Sequence, residues 1–129
     1  MHMKRLFVLA AICLPFTRAT AADPMAQLLL KLSPDERAHQ VCIMKGLDII
    51  RHAKRLPQAD RMKTGIFMPA IFDGKVVVAK GAAVYSSKHW YALTFKCTVT
   101  ADLLKATSFD YQIGDEIAPE KWDELGLWP

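Results

Sequence analysis

The sequence has 129 residues, of which 52% are hydrophobic and 23% are charged. This length fits one domain, and there is no internal repeat, low-complexity tract or long linker. The formal net charge is +4, but Lys4, Arg5 and Arg18 lie in the first 21 residues, and without them it falls to +1. Such a balance does not support nucleic-acid binding, which normally requires a basic stripe on the folded domain.

Residues 1–21 have the three zones of a signal peptide. Lys4-Arg5 is a positive n-region, Leu6–Phe16 is an apolar stretch of 11 residues, and Ala19-Thr20-Ala21 is a small-x-small cleavage site. The apolar stretch is well short of the roughly 20 residues that span a bilayer, and later apolar runs are shorter still. We therefore expect a periplasmic or secreted protein that begins at Ala22 and has no membrane span.

The cysteines point to the same compartment. Cys13 lies in the leader, so the exported domain retains Cys42 and Cys97. Two cysteines in an oxidising compartment predict one disulfide, with two buried free thiols as the alternative. A metal site is disfavoured, because neither cysteine has a second Cys or His at ligand spacing.

The first clear element is a helix predicted from about Ser33 to Arg55. Ser33 is a good N-cap, Pro34 suits the first helical position, and Glu36 completes a capping box. Apolar and small residues recur at helical spacing and predict one buried face: Ala38, Cys42, Gly46, Ile49, Ala53 and Leu56. Gly46 lowers the helix propensity of this segment. Because glycine has no side chain, we expect the helix to approach its neighbouring layer closely at this position.

Three segments predict β-strands, while Pro57–Gly65 is predicted to be a connection. Lys75–Ser86 follows an Asp-Gly turn and is broken or bulged at Gly81. Trp90–Thr100 is the strongest strand, since alternate residues are apolar and should face the core. These inward residues are Tyr91, Leu93, Phe95, Cys97 and Val99. Ser108–Ile113 alternates in the same way.

Pro119–Leu125 predicts a short C-terminal helix, with Pro at its first position and Gly126 as the stop. The resulting fold class is α+β: one long N-terminal helix packed on a small antiparallel sheet of three to four strands, with the short C-terminal helix closing one end. Cys42 and Cys97 both face inward, so their disulfide would join helix to sheet. Closing this loop is worth roughly 4 kcal/mol on the chain-entropy estimate.

Four spaced blocks of this sequence resemble one known family. They are Leu32–Cys42, His89–Cys97, Ser108–Gly114 and the closing Pro119–Trp128. In this order they are similar to an exported alphaproteobacterial family, the domain of unknown function numbered 930, over most of residues 30–128. The resemblance implies an envelope location and no established activity, and it transfers no catalytic residue.

No constellation predicts catalysis, a cofactor or a metal site. His39 and His52 are 13 residues apart in the predicted helix, about 20 Å along its axis, so they cannot share a metal. There is no nucleophile elbow and no phosphate-binding glycine loop. A small envelope hydrolase is the alternative function, and a cleft joining His89 to Asp110 or Ser108 would favour it.

Two candidate surfaces remain. One is a basic patch made of Arg51, His52, Lys54, Arg55, Arg61 and Lys63. These cations either complement the dipole at the helix C-terminus or contact an anionic envelope surface.

The second candidate is a recognition surface of Lys88, His89 and Trp90. Trp90 faces away from the core side of its strand, so either the C-terminal helix covers it or it is exposed for a partner. We therefore predict a non-catalytic binding module of the cell envelope, whose partner is an envelope protein or an anionic envelope component. A secreted effector acting on a host cell is a further alternative.

Overall fold

The structure is a computed structural model that describes residues 10–15 and 23–129. Most of the predicted signal peptide, including its basic residues and its cleavage site, lies outside the described residues. Within the described part of the chain, no helix is long and apolar enough to cross a membrane.

Two helices open the domain: α1 spans Pro24–Leu29 and α2 spans Pro34–His52. The sequence analysis missed α1, although Asp23 caps it by accepting a hydrogen bond from the backbone N–H of Met25. α2 has the predicted capping box between Ser33 and Glu36. The two helices are joined by Arg37, which donates to carbonyl groups at the end of α1 and in the turn after it.

α2 ends three residues earlier than predicted. Lys54 has a φ of 68°, which turns the chain out of the helix without the glycine that usually marks such a turn. Because the helix stops at His52, Ala53 is exposed rather than buried. The buried stripe also differs by one position from the prediction, since Ile50 is fully buried and Ile49 only partly.

The sheet has five antiparallel strands, more than the three to four predicted. They are β1 (Ala59–Lys63), β2 (Ile71–Phe72), β3 (Val76–Ser86), β4 (His89–Val99) and β5 (Ala106–Glu116). The order is β1-β3-β4-β5, and β2 pairs with β3. The three long strands match the predicted segments within two residues at each end, except that β5 extends three residues beyond Ile113.

β1 was predicted to be a connection, and its register explains the error. The pairing with β3 is irregular between Ala59 and Arg61, so the two buried residues of β1, Ala59 and Met62, are three apart rather than two. This spacing hides the period-2 pattern on which strand prediction depends. β2 has two residues and is too short to give any pattern.

The inner face of the sheet packs against α2, as predicted. A Cβ atom at Gly46 would lie 2.5 Å from the Phe109 ring and 2.9 Å from the Met62 side chain. The helix therefore approaches the sheet at this point more closely than any other residue would allow. Next to this contact, Cys42 and Cys97 lie at disulfide-bonding distance, with their Cα atoms 6.0 Å apart.

The outer face of the sheet is covered only at one end. A C-terminal tail, in which a 3₁₀ turn (Pro119–Lys121) leads into α3 (Trp122–Leu125), folds over this end and ends α3 at Gly126 with a φ of 70°. Ile117 and Leu127 of the tail form a second apolar cluster with Tyr85 and Trp90 of the sheet.

This tail contradicts the predicted exposure of Trp90. The Trp90 side chain is fully buried, and its indole N–H donates to the backbone carbonyl of Trp128 at 2.9 Å. The alternative that a C-terminal layer covers Trp90 is the one that the structure adopts. Trp90 therefore stabilises the fold and is not available to a partner.

The close contact at Gly46 predicts the effect of adding one methyl group. Gly46→Ala gains about 1 kcal/mol of helix propensity but forces the new methyl group into Phe109 and Met62. We expect a net loss of about 1 kcal/mol or more in the free energy of unfolding, measured by urea denaturation. Gln40→Ala on the exposed side of α2 is the control and should change stability by less than about 0.5 kcal/mol. A stabilised Gly46→Ala variant would contradict the close approach.

The cysteine pair predicts a large contribution to stability. Since about 4 kcal/mol is expected from closing this loop, Cys42→Ala with Cys97→Ala should lower the Tm by about 10–20 °C. Circular dichroism melting measures the shift, with the wild-type domain in reductant as the matched comparison. Non-reducing peptide mapping should find the two cysteine peptides linked. Two thiols that alkylate in the native, oxidised domain would refute the bond.

Candidate functional site

The predicted recognition surface of Lys88, His89 and Trp90 does not exist as one surface. Trp90 points to the outer face and is buried, whereas His89 points to the inner side, beside Tyr91. The His89 ring contacts the Glu116 carboxylate, with Nδ1 2.5 Å from Oε1, and both side chains are about half exposed. Lys88 lies in the β3–β4 turn with a φ of 70°. The three residues therefore serve different parts of the fold.

The predicted basic patch is divided between the two faces of the sheet. Four of its members, Arg51, His52, Lys54 and Arg55, are exposed at the end of α2. Here Arg51 donates to the carbonyl of Ala59 at 3.2 Å, and His52 contacts Asp48 within the helix. The Arg51 hydrogen bond therefore links the end of α2 to β1, whereas the His52 contact stays within the helix.

Arg61 and Lys63 lie on the outer face, where they hold the C-terminal tail. The Arg61 guanidinium is 3.7 Å from the ring centroid of Tyr85, a cation–π contact. Lys63 donates to the carbonyl of Gly126 at 2.7 Å and lies 4.3 Å from the Trp128 ring. Both cations are engaged in packing the tail and belong to a different surface from the helix end.

The structure also separates the residues that would have favoured a hydrolase. His89 begins β4 on the inner side, while Asp110 pairs with Lys96 and Ser108 pairs with Thr98 further along the sheet. Seven or more strand positions separate these pairs from His89, which is about 23 Å at 3.3 Å per residue. His89 cannot act with Asp110 or Ser108 in one cleft.

The tail leaves one part of the outer face uncovered, and sequence analysis did not identify it. Exposed polar side chains from the three long strands meet there, and we call this area the open outer surface: Lys80, Thr94, Lys96, Asp110 and Gln112. Across β4 and β5, Thr94 pairs with Gln112 and Lys96 pairs with Asp110. These partners share one face because directly paired residues project to the same side of a sheet.

The side chains of the open outer surface are uncommitted. None of the five makes a hydrogen bond or an ion pair with another side chain or with backbone among residues 10–15 and 23–129. Two shallow hollows of about 320 and 180 Å³ lie over them and share Lys80, Thr94 and Gln112 in their walls. The surface therefore offers two ammonium groups, a hydroxyl, an amide and one carboxylate to a ligand.

An apolar segment borders the second hollow. It runs from Gly65 to Phe72 and crosses β3 at the bulge, where the N–H groups of Ile66 and Phe67 donate to the carbonyl of Gly81 at 2.7 and 3.0 Å. Gly81 permits this crossing, because a Cβ atom there would collide with the backbone of Met68. Phe67 lies beside Lys80 in the wall of the hollow.

The open outer surface presents groups that can form hydrogen bonds and ion pairs with a ligand. Among the residues that the structure describes, no group of three or more His, Cys, Asp or Glu side chains is placed to hold a metal ion. The alternation of β4 could have revealed the open outer surface, because residues opposite the inward set must face either a second layer or a partner. From the sequence, only Trp90 was interpreted in this way.

Comparison with known proteins identifies the family of this chain. No curated protein and no solved structure matches the chain. One family model matches residues 29–127, from the end of α1 to the end of the tail, and so covers both layers of the domain and the open outer surface. The chain belongs to the family described as Domain of Unknown Function (DUF930).

Proposed function

We propose that the domain is a non-catalytic, exported binding module of the cell envelope, and that its open outer surface binds an anionic envelope component. The observation that carries this proposal is the pair of lysines without partners among the described residues, Lys80 and Lys96, which line one open hollow on the part of the outer face that the tail leaves uncovered.

The charges of this surface favour an anion. Lys80 and Lys96 line the same hollow, and Asp110 is the single carboxylate in its wall. Each lysine near an anionic surface contributes about 1 kcal/mol, and Thr94 and Gln112 add hydrogen-bond donors for phosphate or carboxylate oxygens. The other cations of the sheet's outer face, Arg61 and Lys63, are already bound to aromatic rings and carbonyl groups of the fold.

Rigidity supports the same conclusion. Lys80, Thr94, Lys96 and Gln112 stand on long strands whose inner face is packed against α2. A ligand therefore meets side chains whose backbone is fixed before binding, and the entropy lost on binding is limited to the side chains. A cysteine pair that joins both layers suits a domain that works in an oxidising compartment.

Export predicts the N-terminus of the working protein. Intact-mass analysis of protein recovered from the envelope fraction should show a chain that starts at Ala22. Ala21→Arg should leave the leader attached, since the cleavage site requires a small residue at that position. An envelope protein that still carries residues 1–21 in the wild type would contradict export by this signal.

Charge reversal tests the binding surface. Lys80→Glu with Lys96→Glu should weaken binding to immobilised dextran sulfate, used here as an anionic probe, by about tenfold or more, because two attractions become repulsions. The matched control is Lys54→Glu with Lys88→Glu, which changes the net charge equally at the sites first predicted from the sequence. A salt gradient on the dextran sulfate column compares the variants.

Three outcomes are distinguishable in this experiment. Early elution of the Lys80/Lys96 variant alone supports the open outer surface. Early elution of the control variant alone would assign binding to the α2 end and the β3–β4 turn instead. Equal losses in both variants would show that the net charge, rather than a defined surface, governs retention and would contradict the proposal.

A further inference from the structure

We propose that the anionic component is the surface of an anionic phospholipid bilayer, and that the apolar segment Gly65–Phe72 inserts between the lipid headgroups while Lys80 and Lys96 contact the phosphates. This inference rests on the proposed function, because it uses the same surface and the same two lysines.

The apolar segment carries three large side chains that the fold leaves in water. Phe67 is 53% exposed, Met68 is 49% exposed and Ile71 is 69% exposed. They lie within five consecutive positions, together with Pro69 and Ala70. Single exposed apolar side chains are ordinary, whereas a contiguous exposed group beside cationic side chains is a candidate contact with a partner or a membrane.

Two of the three apolar side chains, those of Phe67 and Ile71, lie on the face that carries the lysines. Ile71 pairs with Val78 across β2 and β3, and Val78 pairs with Lys96 across β3 and β4. Because paired residues project to the same side of a sheet, Ile71, Val78 and Lys96 all lie on the outer side. Phe67 lies in the wall of the same hollow as Lys80. Apolar and cationic side chains therefore lie on the same face of the sheet.

The segment is already held in place before any contact with lipid. Two hydrogen bonds to the carbonyl of Gly81 anchor its backbone at Ile66 and Phe67. The absence of a side chain at Gly81 lets Met68 lie directly on β3. Insertion does not need to order a flexible loop, which is the usual entropic cost of such a contact.

A bilayer surface satisfies both kinds of group at once. A soluble anion would neutralise Lys80 and Lys96 but leave Phe67, Met68 and Ile71 in water. At a membrane, apolar side chains enter the boundary between headgroups and acyl chains while lysine ammonium groups stay at the phosphates. Asp110 opposes this attraction, but it is outnumbered by the two lysines that share its hollow.

The test is cosedimentation of the mature domain with phosphatidylcholine vesicles that contain or lack phosphatidylglycerol. The wild type should bind the phosphatidylglycerol vesicles, and a loop variant with Phe67→Ser, Met68→Ser and Ile71→Ser should bind them about tenfold or more weakly. The comparison variant replaces Met25, Leu28 and Leu30, a second exposed apolar group at α1, with Ser and should leave vesicle binding unchanged, whereas a loss confined to this variant would assign insertion to α1 and overturn the proposal.

A second measurement remains informative if the loop variant is unstable. In Phe67→Trp, the new indole should be quenched by brominated phosphatidylglycerol beyond the signal of the native tryptophans, whereas Leu28→Trp should show no such gain. Lack of added quenching in a Phe67→Trp domain that sediments with the vesicles would overturn insertion.

The remaining outcomes separate this inference from the proposed function. Retention on dextran sulfate without vesicle binding overturns the lipid assignment and leaves the anion-binding function standing. Loss of vesicle binding in the Lys80/Lys96 variant but not in the loop variant overturns insertion alone. Failure of the wild type to bind either probe overturns both, and vesicle binding without phosphatidylglycerol overturns the role of the lysines.

Discussion

The sheet has two faces, but the domain has only one long helix to cover them among the described residues. The arrangement of the rest of the domain follows from this constraint. α2 takes the inner face, where Gly46 lets the helix axis come close enough for Cys42 to meet Cys97. The outer face must be covered by other means wherever its strands are apolar. The C-terminal tail does this over Tyr85 and Trp90, and it stops there. Beyond it the strands present lysine, threonine and glutamine, which tolerate water without a second layer.

The same division explains why a count of basic residues along the sequence does not predict the proposed binding surface. Lys63 and Lys96 both stand on the outer face, but Lys63 donates to a carbonyl of the tail and lies over the Trp128 ring. A cation that already has these partners gains less from an external anion than one that has none among the described residues. On the outer face of the sheet, the cations without such partners among the described residues are Lys80 of β3 and Lys96 of β4.

Local rules account for the parts of the fold that could be predicted. The Ser33 capping box and the alternation along β4 depend on neighbours in sequence, and both are confirmed. The close approach at Gly46 is confirmed as well, although the residues it contacts, Met62 and Phe109, are distant in sequence. The failures depend on distant contacts. β1 is hidden by its irregular register with β3, and Lys54 leaves the helix through a backbone conformation that its side chain does not signal. Alternation along β4 predicted the face on which Trp90 lies. It did not predict that Trp90 is buried, because this burial depends on Trp128, which is 38 positions away in the tail.

Most of the buried apolar contact and the proposed binding surface lie on opposite faces of the sheet, although the tail cluster around Trp90 also packs on the outer face. Phe67, Met68 and Ile71 contribute little to the core, because about half or more of each side chain is exposed, and the segment is fixed instead by its backbone at Gly81. The inner face, with α2 and the cysteine pair, provides most of the buried apolar contact. Side chains of the open outer surface can therefore change with little cost to folding, since surface substitutions usually alter stability by about 0.5 kcal/mol or less. A domain built in this way can keep one scaffold while a few positions in the middle of β3, β4 and β5, on their outer face, change.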